Sequence, residues 1–330
     1  MLKKFALIVF SFLGLVNSGV FAQDPAFSQF YANPLYLNPA LAGANVCPRI
    51  IGNYRNQWPS LGKAFNTYNA SYDQYVNFLH GGVGLIFMAD RAGGGNLNTT
   101  TISLVYTYKF QITDRLFAST GVKVGYYQRH LAWDNLIFGD QIDPLNGNIK
   151  PYTDEKPPDH STVGVPDFSA GVFLGYDDLV YGGISVDHLS QPDVGFYTDN
   201  TTKLYMKFTV HAGSVINLRK GGSDEEREFS ISPNVLYQQQ FKFHQLNIGF
   251  YLTIDPFIGG LWFRHNFENA DALIPMLGIH YKNLHLAYSY DFTVSKLKGA
   301  TGGAHEISAS WQFPCIEKRR HIRAIKCPRF

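Results

Sequence analysis

Histidine is the side chain best suited to moving protons near neutral pH, and eleven of them are scattered from His80 to His321. None stands in a constellation that would put it to work. No serine occupies a GxSxG elbow and no HExxH pair occurs. Asp187–His188 and His305–Glu306 are adjacent acid/imidazole pairs, but neighbours on a strand face opposite ways, so both read as structural. Gly93-Gly94-Gly95 lacks the lysine and helix of a phosphate loop and reads as a loop tip. Carboxylates cluster in residues 128–166 as Asp140, Asp143, Asp154, Glu155 and Asp159 without the ligand spacing of an EF-hand. That stretch, with Trp133 and Phe138, reads as an exposed polar loop and the best surface for a partner. The expectation is a non-enzymatic protein with no cofactor and no metal.

Two further kinds of chemistry remain. Cys47, Cys315 and Cys327 lack the CxxC or HxxxH spacing of a metal site. A Cys315–Cys327 bridge is reasonable in an oxidising compartment; Cys47 paired with either would tie the chain ends together. A net charge of +2, with basic residues spread out except in the tail at Lys318, Arg319, Arg320, Arg323, Lys326 and Arg329, implies no nucleic-acid function.

The elements that position these residues have a period of two. In Lys203–Gly213, Leu204, Met206, Phe208, Val210 and Ala212 share one side and Lys203, Lys207, Thr209, His211 and Gly213 the other. Residues 101–110 and 305–313 repeat the pattern. About fourteen strands follow, near 48–58, 65–75, 81–90, 99–110, 115–127, 167–176, 179–188, 203–216, 227–238, 242–254, 257–266, 274–282, 284–291 and 304–313. Most have about ten residues, the length of a tilted membrane-crossing strand, and their number is even.

Short turns such as Thr113-Asp114, Asp177-Asp178, Asp255-Pro256 and Lys282-Asn283 alternate with long loops, as in outer-membrane barrels with periplasmic turns. Residues 217–226 are long for a turn and 239–241 short for an outer loop, and either departure could mark a hairpin missed or invented. Only 16% of residues are charged while 15% are aromatic, against about a quarter charged in soluble domains. A soluble sandwich or lipocalin would also alternate, but it would put charge on the face that here carries Gly, Ser, Thr, Asn and Gln. Trp58, Phe110, Tyr126, Tyr127, Tyr176, Trp311 and Phe313 stand near strand ends, where interfacial girdles are expected. Arg49, Arg55, Lys109, Lys123, Lys203 and Lys207, opposed by Asp291 and Glu306, fall on the lumen side.

Residues 1–22 read as a Sec signal peptide: Lys3 and Lys4, an apolar run from Phe5 to Val16, and small residues at Val20 and Ala22, with cleavage after Ala22. The next stretch, 23–47, is apolar yet irregular. Asn33-Pro34 and Asn38-Pro39 forbid a regular helix or central strand, while Phe27, Phe30, Tyr31 and Tyr36 make it too apolar for a free linker. It is expected to pack inside, or beneath the periplasmic opening of, a barrel spanning 48–313. Residues 314–330 form a short periplasmic tail.

The stretch Gln23–Gly43, the segment Cys47-Pro-Arg-Ile-Ile-Gly-Asn-Tyr-Arg-Asn-Gln-Trp58-Pro59 and the tail Arg320–Phe330 resemble the PorP/SprF family. These are outer-membrane proteins of the type IX secretion system, and the resemblance covers the whole mature chain. It implies an all-β transmembrane barrel in the outer membrane. It also implies a role in secreting or anchoring a large cell-surface adhesin through that protein's C-terminal domain, linked to gliding motility, or a core role with periplasmic or outer-membrane components of the machinery. The alternative from another class is a passive or gated channel for small solutes.

Overall fold

The computed structural model describes residues 24–45, 47–62, 64–177, 179–199, 201–219, 229–267, 269–294 and 301–315. The expected signal peptide with its cleavage site, Cys327 and all but the start of the expected tail lie outside them.

The alternating segments form β1 (Arg49–Gln57), β2 (Phe65–Val76), β3 (Gly81–Ala92), β4 (Leu97–Gln111) and β5 (Leu116–Leu131). They continue as β6 (Thr162–Tyr176), β7 (Val180–Asp187), β8 (Lys207–Ser214), β9 (Ile216–Arg219) and β10 (Phe229–Gln240). The last are β11 (Phe243–Ile254), β12 (Phe257–Asn266), β13 (Asn269–Tyr281), β14 (Leu284–Thr293) and β15 (Ala304–Gln312). β8 and β9 both pair with β10 and are two pieces of one strand interrupted at Val215. Every neighbour is antiparallel, and β15 pairs with β1 from Arg49↔Gln312 to Gln57↔Ala304. The sheet is therefore a closed barrel of 14 strands. Closure leaves no edge whose backbone groups would face lipid unpaired. Among the described residues no helix is long and apolar enough to cross a membrane.

All fourteen expected strands are present. The hairpin across Phe241–Lys242 is real, because β10 pairs along its length with β11, and β10 pairs with β8 and β9 on its other side. Most of the other doubtful stretch, 217–226, lies outside the described residues. The links 112–115, 177–179, 255–256 and 282–283 share one end with the start of β1 and the end of β15, which is the periplasmic one by the usual arrangement of bacterial barrels. At the outer end the links 241–242 and 267–268 are equally short, the second against the expectation of a longer loop.

Side-chain alternation sends the apolar set outward and the polar set in. On β4, Ile102, Leu104, Tyr106, Tyr108 and Phe110 are exposed while Ser103 and Thr107 are buried. On β8, Phe208 and Val210 are exposed, and Lys207, Thr209 and His211 are buried. An apolar exterior and a polar interior is the pattern lipid demands, since apolar side chains facing hydrocarbon cost nothing. Phe110, Tyr126, Tyr176, Trp311 and Phe313 are outward as expected. Two expected girdle aromatics are not. Tyr127 is buried, packing with Val194 and Leu204, because it shares the inward parity of Arg129 on β5. Trp58 sits past the end of β1 with φ +59°, a left-handed turn that takes it off the strand's alternation.

Residues 24–45 lie inside the lumen as three short helical turns, Phe30–Ala32, Pro34–Leu37 and Pro39–Leu41. Pro34 and Pro39 each open a turn, where the missing N–H goes unmissed. The Asn38 side chain accepts from the Ala40 N–H at 2.9 Å and starts the last turn.

Candidate functional site: a threaded lumen and the vestibule above it

The segment 24–43 runs down the lumen and is held at three levels. Near the outer end, Asp24 receives His188 Nε2 at 2.8 Å and Lys207 Nζ at 3.1 Å. His188 Nδ1 lies 3.0 Å from Asp167, so the ring bridges two carboxylates. Burial alone would lower the pKa of this imidazole, but the Asp24 charge and the bonds to Asp167 and Asp24 raise it to about 10. Burial would likewise raise Asp24, whereas His188 and Lys207 hold it well below the usual carboxylate range. His188 follows the last residue of β7 with φ +58°. That left-handed residue breaks the alternation, so Asp187 and His188 both turn inward, correcting the expectation that they face opposite ways.

One level deeper, the Ser28 and Gln29 backbone N–H groups donate to the two oxygens of Glu306 at 2.7 and 3.0 Å. Arg55 donates to Glu306 at 3.0 Å, to Asp291 at 2.8 Å and to the Ser28 hydroxyl at 2.7 Å. Arg264 donates to the same Asp291 oxygen at 2.7 Å. Two guanidiniums against two carboxylates leave this buried cluster balanced, as a dry interior requires. At the periplasmic end the Gly43 N–H donates to Asp73 at 2.9 Å, and Arg49 grips the same carboxylate at 3.0 and 3.2 Å. Lys109 Nζ donates to the Gly43 carbonyl.

Between these levels the wall meets the segment backbone directly. Thr107, Ser119 and Ser185 hydroxyls donate to the carbonyls of Pro39, Ala40 and Leu37 at 2.7, 2.9 and 2.9 Å. Asn38 Nδ2 donates to the Val172 and Ile184 carbonyls at 3.1 and 3.3 Å. Glycines make the approach possible. A Cβ on Gly121 would stand 2.4 Å from the Pro39 carbonyl carbon, and one on Gly82 2.0 Å from the Ala42 oxygen. Trp262 and Tyr251 on β12 and β11, and Tyr181 on β7, pack around Phe30 and Tyr31.

Of the expected plug residues, Phe27, Phe30, Tyr31, Asn33, Pro34, Asn38 and Pro39 are buried in the lumen, and Tyr36 is half-buried against Lys207. Of the expected lumen charges, Arg49, Arg55, Lys109, Lys123, Lys207, Asp291 and Glu306 face inward; Lys123 pairs with Asp187 at 2.7 Å. Lys203 does not. β8 starts only at Lys207, and in the preceding loop Leu204 turns in beneath Val194, leaving Lys203 exposed. The expected Cys315–Cys327 bridge is also corrected: Cys315 is bonded to Cys47, with Cα atoms 4.7 Å apart. The register Arg49↔Gln312 carries these two cysteines to the same end of paired strands.

Asp24, Ser28, Gln29, Asp73, Asp167 and Arg264 were not singled out from sequence. The strand residues among them share the inward parity of residues that were, and inward glycines such as Gly121 and Gly171, where Ser or Thr otherwise recurs, mark close backbone approach. The loop 132–161 is largely exposed and is bonded both to itself and to the loop before β8, where Asp159 accepts from the Thr198 N–H and hydroxyl at 2.8 Å. Trp133 and Phe138 rings lie 4.6 Å apart. Asp140 accepts from the Asp154 N–H and the Thr153 hydroxyl, which hold its pKa below the usual value. Asp143 accepts from the Leu145 N–H at 2.9 Å. Ile137, Ile142, Leu145, Ile149 and Tyr152 stand exposed around them. Among the described residues no group of His, Cys, Asp and Glu is arranged to hold a metal ion.

At the outer end, above Asp24-Pro25-Ala26, the lumen opens into a vestibule of about 650 Å³. The residues 24–43 form its floor and fill the lumen beneath it.

Among solved structures, the barrel is similar to a Pseudomonas aeruginosa FadL homologue (12% identity, 84% of this chain and 93% of the other, TM-score 0.41). It is also similar to the TodX deltaS2S3 mutant, a monoaromatic hydrocarbon channel (10% identity, 84% and 94%, TM-score 0.48). A search of curated proteins finds no match. The family described as type IX secretion system membrane protein PorP/SprF matches residues 19–311. The chain is an outer-membrane barrel and belongs to the PorP/SprF family of the type IX secretion system.

Proposed function

We propose that this barrel binds, and helps secrete or anchor, a large cell-surface protein through that protein's C-terminal domain. The observation that carries the reading is the filled lumen. A segment fixed by Asp24, Ser28, Gln29 and Gly43 to charges on the wall suits a docking platform better than an open pore. The loop 132–161 supplies the outward surface. It exposes Ile137, Ile142, Leu145, Ile149 and Tyr152 on the same loop as Trp133, Phe138, Asp140 and Asp143, apolar and polar side chains of the kind partners cover.

The test is affinity purification of the tagged protein from gently solubilised outer membranes, with mass spectrometry of what accompanies it. One large exported protein, stoichiometric and lost when 132–161 is trimmed, supports the reading. Recovery of periplasmic components alone moves the role to the core machinery. A protein with no partner that conducts in planar bilayers is the alternative, a gated channel.

A further inference from the structure

The threaded segment shows how this lumen holds a polypeptide: hydroxyls of the wall and the Asn53 amide donate to its carbonyls, and carboxylates take its N–H groups. Aromatic rings seat its apolar side chains. The vestibule continues that wall outward with the same equipment. Thr99, Gln57, Gln245 and Thr293 line it, as do the carboxylates Asp90 and Asp271 and the guanidinium of Arg129. At its rim Trp58 and Phe65 meet edge to face, ring centroids 5.5 Å apart. Asn266 Oδ1 and Arg264 Nε, on two residues that line the cavity, have no protein partner, and buried polar atoms of that kind ordinarily find one. The volume is that of a ligand-sized site.

We propose that the vestibule is a receptor for an extended polypeptide segment arriving from the cell exterior, laid over the Asp24–Ala26 floor with an apolar or aromatic side chain against Trp58 and Phe65. This rests on the proposed binding of an exported protein and adds where one end of it inserts. A peptide is favoured over an oligosaccharide because the same barrel already binds 20 residues of peptide with the same side-chain types.

The test uses the full chain in its own outer membrane, with the photo-crosslinker p-benzoylphenylalanine placed at Thr99, at Thr293 or, as an outer-loop reference, at Leu145. Cross-links from both Thr99 and Thr293 to the co-purifying exported protein, mapping to one short contiguous segment, are expected. Filling the cavity with Thr99→Trp and Thr293→Trp together should cut recovery of that protein at least tenfold while heat-modifiable gel mobility stays that of a folded barrel. If the exported protein co-purifies and cross-links from Leu145 but not from the vestibule positions, the inference is overturned and the loop-binding reading stands. Vestibule cross-links to lipopolysaccharide alone overturn it in the same way. If no exported protein co-purifies, both readings fall.

Discussion

At the scale of single residues, two features make quantitative claims. The first is the glycine contact between wall and segment. Gly121→Val adds atoms where the Pro39 and Ala40 backbones already stand, and neither backbone can yield without leaving its hydroxyl partner on Thr107 or Ser119. Overpacking of this kind costs about 1–3 kcal/mol. The barrel should fold, with 24–43 displaced and open to added protease; a protected segment in this variant would show that the contact is not tight. The second feature is the buried charge cluster. Arg55→Ala strips Glu306 and Asp291 of a shared cation, which costs about 3–5 kcal/mol when one buried partner is removed. Urea unfolding followed by gel mobility should register that loss, and an unchanged midpoint would argue that water screens the site.

The Asp24–His188 anchor also sets a pH window. His188 is raised to about 10 in place, so the stability it gives is full below its ordinary value near 6.5 and disappears as pH rises through about 10. Asp24 is lowered, so its contribution is present above about pH 4 and is lost as pH falls below that. Planar-bilayer conductance should stay low from about pH 5 to 8 and rise toward pH 10. A flat record across that range would disconnect the anchor from closure.

At the scale of elements, the disulfide ties the chain entering β1 to the chain leaving β15, where the sheet closes. Cys47→Ser should lower the temperature at which gel mobility shifts to the unfolded form, by an amount equivalent to about 2–5 kcal/mol; no shift would mean that the β1–β15 ladder alone sets closure. The strands were legible because lipid and lumen ask for opposite side chains, which stamps a period of two on every crossing. Parity failed where a strand ended. Residues His188 and Trp58 take positive φ, and the strand expected from 203 begins only at Lys207, four residues later, so Leu204 lies in the preceding loop and packs inward. The prolines and aromatics of 24–43 announced a docked irregular segment. Its path could not be read, because the partners of Ser28, Gln29 and Gly43 lie far away in sequence, on Glu306 and Asp73. The Cys47–Cys315 pairing was open for the same reason: it follows from barrel closure, which spacing along the chain does not encode.

At the scale of the molecule, lipid-facing apolar strands surround a lumen that the chain's own N-terminal segment occupies and bonds to at three levels. Transport through such a body requires that segment to move. Binding at its outer end does not. The vestibule and the loop 132–161 both sit on the outer side of the closure, and nothing about their geometry depends on an open channel beneath. In this geometry residues 24–43 close the barrel. The direct measurement is planar-bilayer conductance of the intact protein beside a variant lacking 24–43, both shown by gel mobility to be folded. The intact protein should be silent at pH 7 and the variant should give steady open-pore currents. Equal currents from both, or silence from both, would contradict closure by this segment.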